Sequence, residues 1–212
     1  MKTGFVAAVL IAYLFGSLPF AYWISYAAKR VDPRTVGDGN PGAKNVFLEV
    51  GRAEGGLVCL LDVGKGSAAM LLGKRLGLSL DGCLAAGTAA IAGHNWPLLL
   101  RFRGGQGMAA TVGVFLALFP IEILLGMLAA ALVLRLARHW DLACGVGLTL
   151  IPIAVYGRQG DPVLAGQVML LLPLIGLRKL VQKASACRRR HRRADALWVN
   201  GERPCSGEHQ RR

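Results

Sequence analysis

Residues 4–28 read GFVAAVLIAYLFGSLPFAYWISYAA, a run without one formal charge. It exceeds the roughly 20 apolar residues that carry a helix across about 30 Å of hydrocarbon, so it reads as a membrane span. Five more runs follow it, at residues 56–73, 78–100, 108–134, 140–157 and 162–182, each weakly charged or uncharged. Hydrophobic residues make up 54% of the 212 positions, and the mean hydropathy is +0.46. A soluble core of this size would have to hide too many such runs, and the chain is predicted to be an all-α polytopic membrane protein. The first run lacks a strongly basic leading segment and is expected to remain as a span rather than be cleaved.

Two glycine-rich segments interrupt the apolar pattern: Gly37-Asp38-Gly39-Asn40-Pro41-Gly42-Ala43-Lys44-Asn45 and Arg101-Phe102-Arg103-Gly104-Gly105-Gln106-Gly107. Glycine lets backbone N–H groups converge on an anion, and the arginines add fixed positive charge. Residues 31–55 are too polar for lipid. If this basic loop lies inside, the N-terminus lies outside, span two runs outward to Lys74-Arg75, and span three returns. Both glycine-rich segments then share the cytoplasmic face. Pro120 and Glu122 sit near the middle of a long apolar stretch, where a continuous helix is disfavoured. Two helices joined near Pro120 bring Arg138-His139-Trp140-Asp141 back to the inner side and give about seven spans.

The net charge is +13, which could suggest nucleic acid. The excess collects instead in connecting loops and in the tail Arg188-Arg189-Arg190-His191-Arg192-Arg193, as the positive-inside rule and anionic headgroups select. Without interleaved aromatics or a nucleic-acid module, membrane lipid is the expected partner and nucleic acid is not. The division is a transmembrane domain over residues 1–185 and a basic cytoplasmic tail over 186–212. The five cysteines (Cys59, Cys83, Cys144, Cys187, Cys205) lack CxxC spacing, so neither a disulfide frame nor a metal site is expected.

Several side chains inside the spans carry possible chemistry. Ser17, in Gly16-Ser17-Leu18-Pro19, can bond to a carbonyl freed by Pro19 or act on a substrate. Asp62 and Lys65 lie three apart on one helical face, where bare charges in a bilayer require a partner or a wet cavity. They read either as a structural ion pair or as a site-shaping one. His94, in Gly93-His94-Asn95-Trp96-Pro97, is either a proton acceptor beside the second glycine-rich segment or a donor to a carbonyl at the helix break.

Gly16-Ser17-Leu18-Pro19-Phe20, the Gly37–Val46 segment, Leu61-Asp62-Val63-Gly64-Lys65-Gly66, Gly93-His94 and Gly104-Gly105-Gln106-Gly107 occur in one order and spacing. In this the chain resembles the bacterial acyl-phosphate:glycerol-3-phosphate acyltransferase family over about residues 5 to 202, ending in a weak echo from His191-Arg192 to Gly201-Glu202. The resemblance implies a seven-span, N-outside enzyme of the bacterial cytoplasmic (inner) membrane, with its C-terminus cytoplasmic. It implies acyl transfer from acyl phosphate to glycerol 3-phosphate, giving lysophosphatidate for phospholipid synthesis, with no cofactor. Carried onto this chain, the catalytic candidates are His94, Asn40, Asp38 and Asp141. The substrate-binding candidates are Ser17, Arg34, Gly39, Gly42, Lys44, Asn45, Arg101, Arg103, Gly104, Gly105, Gln106, Gly107 and His191. Asp62 and Lys65 shape the site. His94 as general base is a reading of the residues; the family pattern does not require it.

The chain also departs from the family pattern. Asp38 replaces a serine, Lys44 a threonine, Leu48 an arginine, Gln106 a lysine, Asp141 a serine and Ala194 an asparagine. Two carboxylates gained and two cations lost shift the local charge by about four units, where one pair at 4 Å can be worth about 4 kcal/mol at an effective dielectric of 20. Glycerol 3-phosphate is expected as acceptor through a rebuilt site. The alternatives are an amine-bearing acceptor received by Asp38 and Asp141, or a non-catalytic homologue that binds lipid or a protein partner.

Overall fold

In the computed structural model, residues 2–182 and 184 are described. The chain divides into two units, Met1–Arg178 and Lys179–Arg212; in the second, residues 179–182 and 184 are helical. All regular structure among the described residues is helical: α1 Lys2–Gly16, α2 Phe20–Lys29, α3 Ala43–Glu49, α4 Arg52–Arg75, α5 Leu80–Asn95, α6 Met108–Leu118, α7 Pro120–Ala137, α8 Trp140–Gln159 and α9 Pro162–Met169. After a turn at 170–171 the helix resumes at 172.

Five segments are long and apolar enough to cross a membrane: Gly4–Lys29, Arg52–Arg75, Pro120–Ala137, Trp140–Gln159 and Pro162–Gln182. With the shorter α5 and α6 they make the seven hydrophobic segments expected. The break near Pro120 is real. Phe119 separates α6 from α7, and Pro120 sits at the first position of α7, where its missing N–H costs nothing. The short helix α3, inside the first polar loop, was not anticipated.

The burial pattern is inverted relative to a water-soluble protein. Leu10, Leu60, Leu128, Leu132, Leu136 and Leu170 face outward, while Asp62, Lys65, His94, Asn95, Thr111 and Glu122 are buried. This is the arrangement a hydrocarbon solvent selects. Glycines let backbones meet inside: a Cβ on Gly16 would strike the Ala90 carbonyl, one on Gly113 the Val63 carbonyl, and one on Gly126 the Gly147 carbonyl. These contacts join α1 to α5, α4 to α6 and α7 to α8 by the small-residue packing common in membranes.

Polar contacts define two ends. At one, Arg34 Nη1 donates to the Leu100 carbonyl at 3.4 Å and Lys44 Nζ lies 5.9 Å from the centre of the Trp140 ring. The first polar loop, the segment after α5 and the start of α8 therefore share that end. At the other, Lys74 Nζ donates to the Ala117 carbonyl at 2.9 Å, Gln167 Nε2 to Asp81 Oδ1 at 2.9 Å, and Arg158 Nη1 to Glu122 Oε1 at 3.0 Å. Glu122 is thus not stranded mid-span: it lies in the first turn of α7 and is paired.

At the proline break in the first span the Phe15 carbonyl, which Pro19 cannot serve, is taken up locally. Ser17 Oγ donates to the Tyr13 carbonyl at 2.8 Å, while Leu18 N–H takes the Phe15 carbonyl at 3.2 Å. The expected bond from Ser17 therefore goes to its own preceding turn, because the carbonyl that Pro19 cannot serve is claimed by the tighter turn at Leu18.

Candidate active site

Asp62 and Lys65 are one turn apart on α4, so their side chains project to one side. Lys65 Nζ lies 2.8 Å from Asp62 Oδ1, and the same oxygen is 3.4 Å from His94 Nδ1, too long for a strong hydrogen bond. Lys65 also reaches the Leu18 carbonyl at 3.5 Å and lies 5.7 Å from the centre of the Phe20 ring. All three charged or titratable side chains are buried. They line a cleft together with Leu18, Pro19, Phe20, Pro41, Gly104 and Gly105. One wall is apolar and the opposite wall is backbone, which suits a molecule with a greasy part and a polar part.

The second glycine-rich segment forms the backbone wall. Gly104 N–H donates to the Asn95 carbonyl and Gly105 N–H to the His94 carbonyl, each at 3.2 Å. These two amides satisfy the frayed end of α5. The segment thus forms a seat for α5, and its glycines are required by contact. A Cβ on Gly105 would strike His94 Nε2 and one on Gly104 the His94 carbonyl. Gly107 has φ +79° and starts α6, while Gln106 is half-buried beside it.

The first glycine-rich segment is organised by Asn45. Its Nδ2 donates to the Pro33 carbonyl at 2.8 Å and to the Val36 carbonyl at 3.1 Å, and its Oδ1 accepts from Asp38 N–H at 3.2 Å. Asp38 is exposed, and its Oδ1 accepts from Asn40 N–H at 2.9 Å. The carboxylate thus closes an Asx-type turn, a task a serine hydroxyl performs more weakly. Gly39, at φ +72°, and Gly42, which precedes α3, complete the bend that brings Pro41 to the cleft; the neighbouring Asn40 is buried but is not among the residues that line it.

Arg34 is largely committed. It pairs with Asp32 at 2.7 Å and stacks 5.6 Å from the Tyr22 ring centre. Partial burial pushes the Asp32 carboxyl up, yet the hydrogen bonds and charge of Arg34 outweigh it and hold the group below the usual carboxylate range. Arg101 and Arg103 are exposed at the same end, and Asp141 is exposed in the first turn of α8. Ser17 is buried in the break of the first span. His191 lies outside the described residues. Cys59 and Cys83 are free thiols, and among the described residues no cluster of three or more His, Cys, Asp or Glu could hold a metal ion.

One residue of this neighbourhood escaped sequence reading. Arg178, 6% exposed, donates from Nη2 to the Gly104 carbonyl at 2.9 Å and from Nε to the Gly105 carbonyl at 3.2 Å. Its only sequence signal is an arginine near the end of an apolar run.

Known proteins share this arrangement. Residues 6–186 match the family model described as "Glycerol-3-phosphate acyltransferase". A glycerol-3-phosphate acyltransferase of Desulforamulus reducens is 39% identical over 148 residues, covering 70% of this chain and 74% of that protein. One from Pseudomonas paraeruginosa is 40% identical over 152 residues, covering 71% and 80%. The crystal structure of PlsY (YgiH), an integral membrane glycerol 3-phosphate acyltransferase, in its glycerol 3-phosphate form superposes with a TM-score of 0.76 at 28% identity, covering 96% of each chain. With the helical order, the buried polar cleft and these matches in agreement, the chain belongs to the glycerol-3-phosphate acyltransferase family.

Proposed function

We propose that this protein transfers a fatty acyl group from acyl phosphate to the 1-hydroxyl of glycerol 3-phosphate, releasing lysophosphatidate and inorganic phosphate. The observation that carries the reading is the cleft in which His94 stands between the Asp62–Lys65 pair and the Gly104–Gly105 wall. Leu18, Pro19 and Phe20 offer the apolar side to the acyl chain. The acceptor hydroxyl attacks the acyl carbonyl carbon as His94 takes its proton, with Asp62 favouring the imidazolium that forms. The tetrahedral oxyanion gains from the positive charge of Lys65. Collapse breaks the bond between the acyl carbon and the phosphate oxygen; phosphate departs with the electron pair and receives the proton from His94, leaving as hydrogen phosphate and restoring the neutral imidazole. Positioning supplies much of the remaining rate.

Arg101, Arg103, Lys44 and Arg34 give the cleft end its positive potential for two phosphorylated substrates. Asn40, Gly39, Gly42, Asn45, Gln106 and Gly107 shape the loops around it. The use of Asp38 as a turn-closing acceptor explains an acidic residue there without an amine-bearing acceptor. Lys29, Arg30, Arg52, Arg101, Arg103 and Arg138 crowd the cleft end, which supports a cytoplasmic position for it and an external N-terminus. Purified protein in detergent, given palmitoyl phosphate and glycerol 3-phosphate, is expected to release phosphate and form lysophosphatidate in equal amounts. No product, with a family enzyme active alongside, defeats the proposal.

A further inference from the structure

The proposed reaction needs His94 held in one place, yet the wall beside it is two glycines, the residue type with the most backbone freedom to lose. Something outside the segment must restrain it. The amide hydrogens of Gly104 and Gly105 are tied to α5, and their carbonyls point the other way, to Arg178. The guanidinium reaches both carbonyls at once with a fixed planar fork. Its face lies 6.0 Å from the centre of the Trp96 ring, and the Trp96 carbonyl accepts from the Tyr13 hydroxyl at 2.8 Å. One turn earlier on the Arg178 segment, the Leu174 carbonyl accepts from Asn95 Nδ2 at 3.3 Å. Residues 174–178 therefore grip both the end of α5 that carries His94 and the loop that faces it.

We propose that Arg178 is a positioning residue for acyl transfer: by fixing the Gly104–Gly105 carbonyls it holds the backbone wall against the His94 imidazole. This rests on the reaction proposed above. A buried cation met by carbonyl dipoles and an aromatic face is costly to keep unless its geometry is used. A lysine at this place keeps the charge and loses the fork.

Two measurements on the full-length protein test it. In hydrogen exchange, the amides of residues 104–105 in Arg178→Met should exchange at least tenfold faster than in the unsubstituted protein, with α7 and α8 unchanged. Equal exchange overturns the proposal whether or not the assay shows turnover. In the acyl transfer assay, Arg178→Lys and Arg178→Ala should lose about 10²-fold in kcat with little change in KM, as a misplaced reactive group predicts, while remaining folded at the assay temperature. Guanidinium ion at millimolar concentration should restore a large part of the rate to Arg178→Ala and none to Arg178→Lys. Wild-type kcat in Arg178→Lys, or a loss confined to KM, refutes the positioning role. An inactive unsubstituted protein refutes the proposed reaction instead, leaving the exchange result to decide on Arg178.

Discussion

The His94 imidazole fills the space that a side chain on Gly105 would need. A single methyl there must push the ring or the loop, so Gly105→Ala is expected to cut kcat by about 10²-fold, the scale associated with a displacement of about 1 Å in a reacting group. Gly64→Ala is the control. It faces open space on α4, where alanine favours the helix by up to about 1 kcal/mol over glycine, and its rate should stay at the unsubstituted level in the phosphate-release assay.

The Asp62–Lys65 pair separates a structural role from a chemical one. Asp62→Asn leaves Lys65 buried without its counter-charge and should cost about 3–5 kcal/mol of stability, seen as an earlier melt in detergent. The double substitution Asp62→Leu with Lys65→Met removes both charges and should recover most of that melt. It should nevertheless stay inactive. Recovery of turnover in the double variant would mean that the pair serves folding alone.

Asp38 faces solvent in the first polar loop and spends one carboxylate oxygen on Asn40 N–H. Asp38→Ser keeps an acceptor for that N–H and removes a negative charge. The KM for glycerol 3-phosphate should fall several-fold at low ionic strength, and the gain should fade near 1 M salt, where the screening length is about 3 Å. Asp38→Ala also drops the charge but loses the hydrogen bond, worth about 1 kcal/mol, and its loop should loosen. A rise in KM for Asp38→Ser would show that the carboxylate itself contacts the acceptor.

Arg34 and Asp32 give the first loop an acid limit. The Asp32 carboxyl is held below its ordinary value, so its contribution to stability is complete above the unfolded value near 3.9 and drains away as pH falls through the lower folded value. The Asp32 carboxyl should therefore add no pH dependence to the melting temperature around neutral pH. The difference between the unsubstituted protein and Asp32→Asn, present at neutral pH, should shrink only below about pH 4. Both side chains are partly exposed, and the effect is correspondingly small.

Much of this architecture was legible before any coordinates because hydrocarbon imposes length and polarity on each span. The breaks at Pro120 and Pro162, the shared end of the two glycine-rich segments and the Asp62–Lys65 contact all follow from local rules. What sequence could not supply is the direction of each backbone group. That the Gly104 and Gly105 amides turn to the carbonyl end of α5 is set by backbone geometry that no residue type announces. Arg178 was invisible for a related reason: its partners are carbonyls, which every residue has, and no pattern of side chains marks them. Helix α3 was missed because seven residues within a loop rich in glycine and asparagine carry too little periodicity to register.

Asp62 lies ten residues into α4 from Arg52, a depth of about 15 Å at 1.5 Å per residue. Helix α5 ends beside it after only sixteen residues. Under the proposed reaction, the water-soluble acceptor has to reach that depth from the loop end, while the lipid donor can keep its tail in the bilayer. The depth of that carboxylate thus sets how far a polar acceptor has to travel from the loops before it can react.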